Sequence, residues 1–215
     1  MKRLIIIAAA LAVTTSAYAQ TQVKYVKYQA GNRTAWGILE NETTIREISA
    51  APWDGAKPTG RTARLAEVKL MAPAEAKKVI AAGLNYKSHI GQASPAKYVG
   101  LFAKFPTSLI GHEGDIIYPA DATTVHYEAE ICVVMGKKAK NITEAQVKDH
   151  IFGVTACNDV SERAWQKSDR TLWRAKNTDT FKPMGPWIET DLKLDDNLIT
   201  TVHVNGKESL RYHTN

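Results

Sequence analysis

The sequence predicts a mostly β protein, and three observations predict it. Residues 22 to about 49 alternate apolar and polar side chains in short runs. Glycine, proline and asparagine break those runs at hairpin spacing. Two longer apolar runs, 126–136 and 151–159, carry β-branched residues and stop at Gly136 and Asp159. The 215 residues suffice for one medium domain, or one small and one medium. With 44% apolar and 23% charged residues, the mix is that of an ordinary globular protein. The formal charge of +6 comes from scattered lysines and arginines, which argues against a nucleic-acid-binding stripe and suits a small anionic substrate.

The amino terminus reads as a secretory signal peptide over residues 1–19. Met1-Lys2-Arg3 is a basic tip, 4–13 is a short apolar core, and Ala17-Tyr18-Ala19 is an Ala-x-Ala cleavage site before Gln20. The core is too short to span a bilayer, and no other run approaches that length. The expectation is therefore export, most simply to a bacterial periplasm, with no membrane association after cleavage.

Residues 20–75 are predicted to form a small β-rich module. Val23 to Tyr28, Thr34 to Leu39 and Thr43 to Ile48 read as antiparallel strands with turns at Gly31-Asn32 and Asn41-Glu42. The stretch from Ala51 to Gly60, with Pro52, Gly55, Pro58 and Gly60, is expected to be loop, and 68–73 a further strand. Nothing in this module forms a catalytic set, and it reads as packing. Residues 76–215 follow as a second domain. It opens with a buried strand, 78–82, running through Gly83 into a polar segment that carries Tyr86 and His89.

The chemistry concentrates in the strand from His126 to Gly136. Strand side chains alternate faces, so Glu128 and Glu130 point the same way, about 6 to 7 Å apart along the backbone. Paired carboxylates on an apolar strand resist burial unless something neutralises them. Asp159, ending the next apolar run, offers a third oxygen ligand, and three carboxylates suit Mg²⁺ or Mn²⁺. The same residues also suit blander roles: Glu-x-Glu occurs on solvated sheet faces, and Asp159 stands where a helix N-cap would. Cys132 shares the face of Glu128 and Glu130, and Cys157 lies two residues before Asp159. A disulfide is open to this pair if the strands are neighbours, but the expectation is buried free thiols.

Seven motifs occur in order: Gly83-Leu84-Asn85-Tyr86-x-x-His89, Phe102-x-Lys104, Tyr127-Glu128-Ala129-Glu130, Asn158-Asp159-Val160-Ser161-x-Arg163-x-x-Gln166, Lys176-x-x-Asp179-Thr180-Phe181, Gly185-Pro186-Trp187 and Val204-Asn205-Gly206. Together they resemble the fumarylacetoacetate hydrolase family over about residues 68–215. The resemblance implies an α+β, mostly β fold, with curved sheets rolled around a metal site. It implies Mg²⁺ or Mn²⁺ on Glu128, Glu130 and Asp159, and catalytic roles for His89 and Lys176. It implies substrate binding by Arg163, Gln166, Lys104 and Tyr86, and a homodimer. Members of the family hydrolyse, decarboxylate or isomerise small β-dicarbonyl and 2-oxo acids through a metal-stabilised enolate. Two departures stand out. Hydrolytic members often carry Glu three residues after the histidine, where this chain has Gln92, which cannot accept a proton. The family pattern also continues beyond Val-Asn-Gly through further strands, so the chain is expected to be truncated. The rival expectation is an exported relative that binds metal and keto acid without competent turnover.

Overall fold

Alternation becomes an antiparallel meander at the amino-terminal end. The computed structural model describes residues 22–86, 90, 94, 96–192, 194 and 197–214. Strands β1 (Lys24–Ala30), β2 (Arg33–Leu39), β3 (Thr44–Ile48) and β4 (Pro58–Arg64) pair in sequence, and β5 (Lys69–Leu70) pairs back onto β1. The β1–β2 connection is Gly31-Asn32, with Gly31 at φ 58°, a left-handed value that glycine adopts without strain. On β1 the period of two puts Val26 and Tyr28 inward, both fully buried, against Ile45 and Leu70. Gly37 permits the close approach of β3: a Cβ there would stand 2.9 Å from the Arg46 carbonyl.

The expected loop at 51–60 is only partly a loop. A 3₁₀ turn spans Pro52–Asp54, but Pro58 and Gly60 lie within β4. That strand is last in the sheet order, and β3 shifts register opposite it between Arg46 and Ile48. An edge strand beside an irregularity has backbone positions that need no ladder bond, which is where proline and glycine are tolerated.

The rest of the chain supplies β6 (Val79–Gly83) and β7 (Gly100–Lys104), which pair as a ribbon, and the short β8 (Leu109–Ile110). Next come β9 (Val125–His126), β10 (Ala129–Met135), β11 (Ile151–Asn158) and β12 (Ser161–Glu162). Two helical turns come after them, α1 (Arg163–Gln166) and α2 (Trp173–Asn177). Strands β13 (Lys182–Pro183), β14 (Ile188–Glu189), β15 (Ile199–Val204) and β16 (Lys207–His213) complete the described elements.

A single sheet crosses the boundary near residue 75. Its order is β10-β11-β14-β1-β2-β3-β4, with β14 paired to both β11 and β1. Aromatic rings reinforce the crossing: Tyr25 and Trp53 each pack on Phe152 of β11, at centroid separations of 5.2 and 5.5 Å. A second core of Ala74, Cys157, Met184 and Ile188 lies on the β11 side of that sheet. This mostly β architecture agrees with the fold expected from the motifs. Among the described residues no helix is long and apolar enough to cross a membrane.

The cysteines correct the sequence reading: Cys132 and Cys157 form a disulfide, with Cα atoms 5.9 Å apart. Strands β10 and β11 are antiparallel neighbours in which Cys132 faces Thr155 and Glu130 faces Cys157. The two cysteines are therefore diagonal neighbours on one face, within the separation a disulfide requires.

Candidate active site

The long strand expected at 126–136 is interrupted at the site. Asn158 accepts the Glu128 amide through its side-chain oxygen at 2.9 Å, and the Asp159 amide donates to the Glu128 carbonyl at 2.8 Å. Side-chain capture of a main-chain donor replaces a ladder bond, so pairing breaks between β9 and β10 and between β11 and β12. Glu128 and Asp159 are the residues at that break, opposite each other. Glu130 lies two residues along β10, on the same face.

Glu162, fully buried, anchors the start of α1. Its carboxylate accepts the amides of Thr124 at 2.7 Å and Thr123 at 3.1 Å and caps the helical turn by accepting from Trp165. Burial works against its ionisation, but these amides hold its carboxyl below the usual range. With the first turn of α1 held in this way, Arg163 and Gln166 lie three residues apart on one side, and Arg163 donates to Gln166 at 2.8 Å. The guanidinium also pairs with Glu128.

Lys176 of α2 stands at the centre. Its buried ammonium donates to Glu128 Oε2 at 2.9 Å, Asp159 Oδ2 at 2.8 Å and Ser161 Oγ at 2.7 Å, using all three protons. Lys104, at the end of β7, lies behind Asp159. Its ammonium is 2.6 Å from Asp159 Oδ1 and donates to the carbonyls of Lys176 and Phe181. Burial, opposed by Asp159, lowers the Lys104 ammonium to about 8. The side chain has no exposed surface, so the structure ties Lys104 to protein acceptors rather than to open space. Burial also opposes ionisation of Asp159, but Lys104, Lys176 and Lys182 hold its carboxyl below the usual range.

Glu130 behaves differently. Burial, with Asp159 and Glu128 adding their charge, pushes its carboxyl up to about 7 against the attraction of Lys182 and Lys176. No hydrogen bond or ion pair reaches its carboxylate among the described residues. Tyr86 packs on Tyr212 at 5.4 Å, and burial plus the Glu130 charge raises its phenol. Tyr86 also lines a cavity of about 330 Å³ with Asn85, Ile131, Val133 and Leu198. Ile131 and Val133 belong to the opposite face of β10 from Glu130. His89 and Gln92 lie outside the described residues. Asp179 is not drawn into the carboxylate cluster by any ion pair among the described residues.

The structure thus brings Glu130, Arg163, Gln166, Lys176 and Lys104 from four elements together with Glu128 and Asp159 at the strand breaks. Sequence reading missed Lys182 and Ser161 as members of this cluster. Ser161 had a local signal, two residues after Asp159, whereas Lys182 had none, because strand pairing alone places it.

The donor chemistry fits a hard divalent cation. All three acids offer oxygen, Asp159 Oδ1 is buried without a well-aligned hydrogen bond, and no described residue hydrogen-bonds the Glu130 carboxylate. Among the described residues no group of three or more carboxylate, histidine or cysteine side chains is arranged to hold a metal ion. The Lys176 ammonium instead bridges Glu128 and Asp159.

Residues 78–215 match the family model for the fumarylacetoacetate (FAA) hydrolase C-terminal domain, and residues 23–73 match the Rv2993c-like, N-terminal model. Protein Rv2993c of Mycobacterium tuberculosis is 43% identical over 178 residues, covering 80% of this chain and 67% of that protein. The chain spans 41% and 58% of two other curated relatives. A 5-carboxymethyl-2-hydroxymuconate delta-isomerase from Mycobacterium smegmatis superposes with a TM-score of 0.81 at 37% identity, over 88% of this chain and 75% of that one. A 2-hydroxyhepta-2,4-diene-1,7-dioate isomerase from Mycobacterium marinum does so at 0.80 and 36% identity, over 89% and 75%. The chain belongs to the fumarylacetoacetate hydrolase family, whose relatives include hydrolases and isomerases and whose members are generally dependent on a divalent metal.

Proposed function

We propose that this protein is an exported, divalent-cation-dependent enzyme that isomerises or decarboxylates a small β-dicarbonyl or 2-oxo acid. The observation that carries the reading is the meeting of Glu128, Glu130 and Asp159 with the donors Arg163, Gln166 and Lys176. Glu128, Glu130 and Asp159 would hold Mg²⁺ or Mn²⁺, which supplies Lewis acidity toward a 2-oxo acid. Arg163 and Gln166, fixed by the capped start of α1, orient the substrate carboxylate through charge-assisted and neutral hydrogen bonds. The Lys176 ammonium, whose three protons go to Glu128, Asp159 and Ser161, would exchange one of these bonds for an enolate oxygen as negative charge develops. His89 moves the proton. Gln92 in place of an acid favours isomerisation or decarboxylation over hydrolysis, and the two mycobacterial isomerases point the same way.

The test is turnover of the mature chain on a 2-hydroxydienoate diacid and on oxaloacetate, with Mg²⁺, Mn²⁺ or EDTA. Activity is expected with metal and lost in EDTA, and Lys176→Met is expected to lower kcat by about 10²- to 10³-fold, the effect of removing one oxyanion donor. Full activity in EDTA would sink the reading. A second reading is favoured by the Lys176 ammonium lying where two of the acids converge: a protein that binds metal and keto acid without turning them over. Oxo-acid binding with no product under any divalent metal would select it. The family resemblance also supports a homodimer, which sedimentation of the mature chain would test.

A further inference from the structure

The proposed mechanism has no use for two buried cations, Lys104 and Lys182, and of these Lys182 has no hydrogen-bond partner among the described residues. Its residue surface is 3% exposed, on β13, which pairs in parallel with β8. An antiparallel bridge joins Met184 to Cys157 of β11. That bridge brings the end of β13 beside the end of β11, so Lys182 stands two residues from Met184 and Asp159 two residues from Cys157, while Glu130 faces Cys157 from β10.

The other lysines of the cluster are held by hydrogen bonds. Lys176 gives its three protons to Glu128, Asp159 and Ser161, and Lys104 is held by Asp159 and two carbonyls. Lys182 has no hydrogen bond and no ion pair among the described residues; burial, with Lys176 adding to it, lowers its ammonium, and the charges of Asp159, Glu130 and Glu128 oppose that loss through space. Its contribution is therefore charge rather than geometry. Asp159 is the carboxylate that acts on it most strongly, followed by Glu130, the acid that neither Lys176 nor Lys104 binds.

We propose that Lys182 is an internal counter-cation that weakens the hold of Glu128, Glu130 and Asp159 on a divalent cation. The inference rests on the reading of those acids as metal ligands. A fixed ammonium and a dication occupy the same negative potential and repel each other, and the repulsion is large where the surroundings exclude water. Removing the ammonium while keeping the side-chain length leaves the acids more negative and deepens the site for metal. The consequence is a metal affinity set below what three carboxylates would otherwise give, so that the cation is exchangeable.

The experiment is calorimetric titration of Mn²⁺ into the metal-free full chain, comparing wild type with Lys182→Met, Lys182→Gln and Lys182→Arg. Thermal melting in EDTA checks that each variant is folded, and Lys182→Gln serves where Lys182→Met does not fold. Both neutral variants are expected to bind Mn²⁺ about tenfold or more tightly than wild type, and Lys182→Arg within about threefold of it, given the charge repulsion involved. Uptake by a neutral variant when wild type takes up none supports the proposal equally. Equal or weaker binding by folded neutral variants, with wild type still binding, overturns the proposal and leaves the metal site standing. No Mn²⁺ uptake by any variant overturns both.

Discussion

A buried carboxylate, Glu47, and a half-buried one, Glu130, have opposite fates in this protein. Glu47 of β3 is 2% exposed, and its oxygens receive the Tyr28 hydroxyl at 2.9 Å, Arg33 at 2.7 Å and the Arg61 Nε at 2.7 Å. Although burial opposes ionisation, those donors draw its carboxyl down to about 2. Glu130 of β10 is pushed up to about 7, because it is half-buried beside two more acids and no donor among the described residues reaches it. The comparison separates a charge that holds a module together from a charge held in readiness. Every partner of Glu47 comes from a strand of one meander, so folding itself completes the set. No hydrogen-bond donor among the described residues completes Glu130, and a folded protein tolerates such a group at the expense of stability.

The largest effect should come from the staple between the site strands. The disulfide joins residues 25 apart in sequence, and Cys132→Ser is expected to lower stability by about 3 kcal/mol, the chain-entropy value for a loop of that size. Urea denaturation measures it. A loss under about 1 kcal/mol would mean that the β10–β11 ladder alone sets the spacing of Glu130 and Asp159.

Glu47→Gln comes next. Arg33 and Arg61 are 51% and 65% exposed, so solvent screens much of their attraction, and the expected loss is about 1–2 kcal/mol at pH 7. Since the folded carboxyl titrates at about 2 rather than 4.5, its stabilisation is complete above pH 4.5 and disappears as the pH falls toward 2. Wild type and variant should therefore converge in acid. Curves that stay parallel down to pH 2 would break the comparison.

Glu130→Gln should do the reverse, and by less. The folded carboxyl titrates at about 7, above its unfolded 4.5, so the wild type is most stable below pH 4.5 and loses stability as the pH rises through 7. In metal-free protein at pH 8 the variant should be more stable, by on the order of 1 kcal/mol, and should match wild type near pH 4. Thermal melting in EDTA at the two pH values tests this. A destabilised variant at pH 8 would place Glu130 in the same class as Glu47.

Much of the site was legible in the chain. Glu128, Glu130 and Asp159 stand out because period-two alternation assigns faces from spacing alone, and Arg163 with Gln166 because three residues on a helical turn share a side. The β-rich character of 22–49 was equally local. Pro58 and Gly60 misled, since their tolerance depends on β4 lying at a sheet edge. The disulfide misled as well: whether Cys132 meets Cys157 depends on a diagonal in the β10–β11 register. Lys182 gave no signal, because nothing near residue 182 in the chain says that the segment after β13 bridges to β11 at Cys157.

By itself the sequence determined which residue types stand on each strand face, where turns fall, and that acids cluster on one strand end, because these depend on backbone periodicity over a few residues. Only the tertiary structure decided which charges are answered. It gave Glu47 its arginines, put Lys176 between Glu128 and Asp159, left Glu130 without a hydrogen bond among the described residues and buried Lys182 within reach of the Asp159 charge. Those outcomes depend on strand order and register between segments far apart in the chain, and charge compensation acts through space, where sequence distance has no meaning.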